Sequence, residues 1–109
     1  MENRKIRFDE KQDRYITKGI KENVSPYLYH YLFELIDTMK VAQRDCLQVF
    51  DLKRVPGQEN TQIVIHTQEC PRYKKRYVFQ TAMPQAIGKI SLLIMMTHTV
   101  PCFWLMSID

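Results

Sequence analysis

The strongest chemical signal in the chain is Arg72-Tyr73-Lys74-Lys75-Arg76-Tyr77, four cations interleaved with two phenol rings. Cations in such a run neutralise a phosphate backbone and the rings stack on unpaired bases, so the pattern suits nucleic acid or an acidic protein face. It equally suits the solvated face of an edge strand, where lysine discourages strand-to-strand aggregation. A regular strand would put Tyr73, Lys75 and Tyr77 on one face and Lys74 and Arg76 on the other, so one patch requires part of the run to turn. Pro71 predicts an irregular start that lets Arg72 and Lys74 join Arg76 while Tyr77 turns toward the core.

His66 and Cys70 lie four apart, with Cys46, His98 and Cys102 as further donors for a tetrahedral zinc. Four-residue spacing unites ligands on a helix, whereas these two bracket a predicted strand end, so ordinary half-buried residues are the simpler reading. No metal or cofactor is expected. Cys70, beside His66 and Glu69, is the one candidate nucleophile, but no catalytic signature surrounds it. Glu34, Asp37 and Glu69 read as solvated or paired carboxylates. The residues predict a protein without enzymatic activity.

The elements that must position these groups fit one small domain: 109 residues, 45% hydrophobic and 11% aromatic, supply a single core. Sixteen Lys and Arg against 12 Asp and Glu give a net charge of +4, which favours acidic partners and disfavours mimicry of DNA phosphates. Three cysteines without a CxxC spacing, and no apolar leader near Met1, predict a reduced, cytoplasmic protein.

Residues 1–13 read as a charged flexible arm and 14–109 as the domain. Arg14 to Ile20 has strand composition, with Gly19 marking a bulge. Ser25-Pro26 starts a helix expected to reach about Gln43, with Leu28, Leu32, Leu35, Ile36 and Met39 on its buried side. Leu47 to Leu52, Gln62 to His66 and Lys75 to Thr81 read as strands, the middle one interior to a sheet. The helix stripe is expected to pack on Val49, Ile63, Ile65 and Val78 or their immediate strand neighbours. The fold class is therefore α+β, one amphipathic helix on a mostly antiparallel sheet, in the order β-α-β-β-β with additional C-terminal strands.

The tail, residues 90–108, contains no Asp, Glu, Lys or Arg. A buried or edge strand pair is the preferred reading. A membrane anchor is disfavoured because Ser91, Thr97, His98, Thr99 and Pro101 interrupt the run. Met95-Met96-Thr97 admits a third reading: shifted by one frame, its codons spell Asp-Asp, so the run could also be a frameshifted acidic segment.

The segments Arg14-Tyr15-Ile16-Thr17-Lys18-Gly19-Ile20, Leu35-Ile36-Asp37, Leu47-Gln48-Val49-Phe50-Asp51-Leu52 and His66-Thr67-Gln68-Glu69 with Tyr73-Lys74 resemble a staphylococcal-type family of small uncharacterised proteins, the domain of unknown function 960. The resemblance spans about Arg14 to Thr81, and the apolar tail departs from the acidic ending typical of the family. It carries no catalytic residues. It implies a setting in Gram-positive bacteria, their phages and conjugative elements, where small proteins bind host defence machinery. The expected function is thus stoichiometric binding or inhibition of a host protein or ribonucleoprotein complex, such as an RNA-guided or restriction nuclease. A basic nucleic-acid-binding module is the alternative, and a small metal-dependent or cysteine hydrolase the third.

Overall fold

The computed structural model describes residues 13–95 and 103–108. All of the expected charged arm except Asp13 lies outside the described residues, as do His98 and Cys102. The elements are β1 (Asp13–Ile16), α1 (Lys18–Asn23), α2 (Pro26–Thr38), β2 (Leu47–Val55), β3 (Gln58–Gln68), β4 (Tyr73–Gln80), β5 (Gly88–Met95) and β6 (Phe103–Ile108). The strands form one sheet in the spatial order β1-β6-β5-β2-β3-β4. Every pairing is antiparallel except β1 with β6. The fold is α+β.

Local chemistry sets the first boundaries. The expected strand over 14–20 is cut short: Thr17 is extended, its hydroxyl accepts from Ile20 N–H at 3.4 Å, and α1 begins at Lys18. Gly19 is thus helical rather than a bulge. Thr17 N–H makes a last bond to Met106 C=O at 3.0 Å, after which the chain turns over the sheet and buries Ile20 completely. The β-branched residues that read as one strand instead serve a strand end and a helix cap.

In α2, Pro26 occupies the first turn, and Leu28, Leu32, Phe33, Leu35 and Ile36 are buried. The helix stops at Thr38, short of the expected Gln43. Met39 is already extended and buries its side chain on the core. Thr38 Oγ1 donates to Glu34 C=O at 3.0 Å and Arg44 Nη2 to Asp37 C=O at 3.3 Å, which closes the last turn. Arg14 on β1 pairs with Asp37 and lies over the Phe33 ring at 5.1 Å, fixing the helix against the edge of the sheet.

Strand register decides which residues meet that helix. Phe50 pairs with His66 and Ile90, Leu52 with Val64, and Leu92 with Met106, so alternation puts these side chains on one face. Phe50, Leu52, Val64, Ile90, Leu92, Trp104 and Met106 form the core with α2. Val49, Ile63, Ile65 and Val78 themselves point to the opposite face, because they sit one residue out of phase. Their strand neighbours make the helix contact.

The charge-free run supplies β5 and β6, the strand pair, and β5 lies inside the sheet between β2 and β6. Trp104 and Met106 are buried against the core. Among the described residues no helix is long and apolar enough to cross a membrane.

Truncating Leu32 or Leu35 to Ala is expected to lower unfolding free energy by about 2–5 kcal/mol. Urea denaturation of the two variants measures this, and near-neutral values would mean the stripe is not core.

Candidate interaction surface

The basic run forms a regular strand from Tyr73 onward, at the outer edge of the sheet. The irregular start expected after Pro71 lies at Arg72, before the strand, and from Tyr73 onward regular alternation divides the side chains between two faces. Tyr73, Lys75, Tyr77 and Phe79 pair with Gln68, His66, Val64 and Gln62 and share the helix side. Lys74 and Arg76 pair with Thr67 and Ile65 and point to the other face. Arg72 belongs to the turn between β3 and β4, exposed like Lys74, Lys75 and Arg76.

The two rings are engaged inward. Tyr73 meets the His66 ring edge-on at 5.1 Å, its hydroxyl lies 3.5 Å from that of Tyr77, and Tyr77 stands edge-on to Tyr31 at 6.3 Å. Burial, then the bond to Tyr73, raises the Tyr77 phenol well above its ordinary range. Lys75 Nζ sits 5.4 Å from the Tyr77 ring. The run is thus two surfaces: Tyr73, Lys75 and Tyr77 border a shallow groove of about 260 Å³ beside Leu35 and Met39, while Lys74 and Arg76 look outward from the far face.

His66 and Cys70 are drawn apart in environment. His66 is fully buried, stacked on Phe50 at 4.4 Å, whereas Cys70 is exposed. Gln48 Nε2 donates to Gln68 Oε1 at 2.7 Å and to Asp45 C=O at 2.9 Å. Its Oε1 therefore accepts from His66 Nε2–H at 2.7 Å, which leaves Nδ1 as a bare, buried nitrogen without a hydrogen bond. Among the described residues no three His, Cys, Asp or Glu side chains gather into a group that could hold a metal ion. Asp37 is taken by Arg14, and Glu34 and Glu69 are exposed.

The face of the sheet opposite the helices carries residues that the sequence did not single out. Leu47 pairs with Leu93, Leu93 with Leu105, and Leu105 with Tyr15, making one apolar row across four strands. Leu47 is 41% and Tyr15 51% exposed, and Leu93, Leu105 and neighbouring Phe103 are half-buried. Tyr15 and Phe103 meet edge to face at 5.3 Å. No described element covers this row. Lys74 and Arg76 border the same face along β4, and neither forms an ion pair with a described carboxylate. The legible signal was the tail itself, whose strands are apolar at both odd and even positions although helices cover one side.

Burial lowers the His66 pKa from 6.5 to about 4. The unfolded chain therefore binds a proton that the folded one refuses, and stability should fall by about 3 kcal/mol as pH drops from about 6.5 to about 4. Urea unfolding across that window checks this, with His66→Phe expected to flatten the slope; an unchanged slope would remove His66 as its source.

A family described as staphylococcal protein of unknown function (DUF960) matches residues 13–98, which includes every described element except β6. No curated protein and no solved structure matches the chain. The match covers most of the sequence, and the chain belongs to this staphylococcal family of unknown function.

Proposed function

We propose that the protein is a non-enzymatic binding module whose open sheet face takes an acidic protein surface. The observation that carries this reading is the apolar row Leu47, Leu93, Leu105 and Tyr15 on the same face as the cations Lys74 and Arg76. An apolar centre with a charged rim is the composition of a protein interface, and the rim selects a partner of opposite sign. The net charge of +4 has the same sign as the rim.

Placement of the tyrosines favours protein over nucleic acid. Stacking of bases needs aromatic faces beside the cations, and Tyr73 and Tyr77 are packed toward the helix side, away from Lys74 and Arg76. The finer proposal, inhibition of a host defence nuclease of the RNA-guided or restriction type, is supported by the resemblance in the sequence, and the net charge of +4 disfavours imitation of DNA as its mode.

Capture of a specific protein from nuclease-treated bacterial lysate tests the reading. Leu105→Glu, and Lys74→Glu and Arg76→Glu as separate single variants, should each weaken capture at least about tenfold, while Lys75→Glu, the same charge change on the other face, should alter it less than about twofold. Equal loss with Lys75→Glu would refute the face assignment. Capture abolished by nuclease, with a steep dependence on salt, would replace the reading with nucleic-acid binding.

A further inference from the structure

We propose that Cys46 and Cys70 are a redox-responsive thiol pair that closes to an intramolecular disulfide across the open end of the β2–β3 hairpin. The register leads directly to it. Phe50 pairs with His66 and Val49 with Thr67, and continuing one residue at a time sets Gln48 opposite Gln68 and Cys46 opposite Cys70. Side chains show that the two segments stay together beyond the last rung: Gln48 Nε2 donates to Gln68 Oε1 at 2.7 Å, Asp45 N–H to the same oxygen at 2.8 Å, and Cys70 N–H to Asp45 Oδ2 at 3.2 Å.

Both cysteines are free and exposed, so an oxidant reaches them without unfolding. A disulfide needs Cβ atoms about 3.5–4.5 Å apart, and the bond from Cys70 N–H to Asp45, the residue next to Cys46, holds the two segments side by side. Cys46 lies in a bend and Cys70 in a turn, beyond the ends of β2 and β3, where no ladder holds the backbone against the approach of the two sulfurs. With a peroxide as oxidant, one sulfur attacks a peroxide oxygen, giving a sulfenic acid and one water. The second sulfur then displaces the hydroxyl as a second water, forming the S–S bond. Two thiols and one hydrogen peroxide become one disulfide and two waters. The bond would enclose the β2–β3 hairpin and hold the turn that carries Arg72, and it stands whether or not the sheet face binds a partner.

The three cysteines fall in three tryptic peptides, 45–53, 55–72 and 90–109, which makes the test direct. The full chain is treated with one equivalent of hydrogen peroxide, alkylated, digested without reductant and mapped by mass spectrometry. The expected product is a monomer with peptides 45–53 and 55–72 joined at the loss of two hydrogens, formed equally in Cys102→Ser and lost in Cys46→Ser and Cys70→Ser. Its Tm should rise by at least about 5 °C and return on adding dithiothreitol. A main product that joins Cys102 to either residue, a disulfide-linked dimer, sulfinic acid at unlinked Cys46 and Cys70, or an unchanged Tm would overturn the proposal.

Discussion

The packing of one 13-residue helix on one face of the sheet is the interaction on which the other features depend. Burying Leu28, Leu32, Leu35 and Ile36 requires a matching apolar surface, and Phe50, Leu52, Val64, Ile90, Leu92 and Met106 provide it. Each strand's register is fixed by that demand, because a slip of one residue would exchange its two faces. A helix is about 10 Å wide, whereas six strands span about 24 Å between the outer two. One helix layer therefore leaves part of its own face to be filled by other means, and the described elements leave the second face open.

Glutamines close the two ends of the covered face. At one end Gln48 and Gln68 lace His66, Asp45 and the turn before β4, with Gln68 Nε2 donating to Gln43 C=O and Pro71 C=O. At the other, Gln62 Oε1 accepts from Gln85 N–H at 2.7 Å and Gln62 Nε2 donates to Gln85 C=O at 3.0 Å. Gln85 in turn accepts from Ser25 N–H at 2.9 Å and donates to Asn23 C=O at 2.8 Å, which moors the loop before β5 to the start of α2. Each buried amide is matched on both its oxygen and its nitrogen, and removing one partner of such a pair costs about 1–3 kcal/mol. These links locate the segment bearing Arg72 and the cysteine pair.

Periodicity made much of this legible. The 3.6-residue stripe from Leu28 to Ile36 and the Pro26 start identified α2, and β-branched runs located β2, β3 and β4. The signals that failed were those in which tertiary contacts outweigh composition. Lys18 to Asn23 became helix because Thr17 caps it and Ile20 must reach the core. Val49 and Ile63 look as core-like as Phe50 and Val64, and the faces are told apart by pairing, which a single sequence does not contain. The division of the basic run between two faces followed from strand alternation alone, whereas which of those faces meets the helix is set by pairing with β3. The tail was ambiguous because β5 and β6 are apolar on both sides, a pattern shared by buried strands and membrane segments.

The open face is the central claim, since the proposed interface rests on it. Adjacent residues of β5 test it most directly: Leu92 is fully buried under the helices, and Leu93 lies in the apolar row on the far side. Urea denaturation of Leu92→Ser and Leu93→Ser should show a loss of at least about 3 kcal/mol for the first and less than about 1 kcal/mol for the second. Comparable losses at both positions would contradict the account, because they would mean that the second face is already covered within the protein itself.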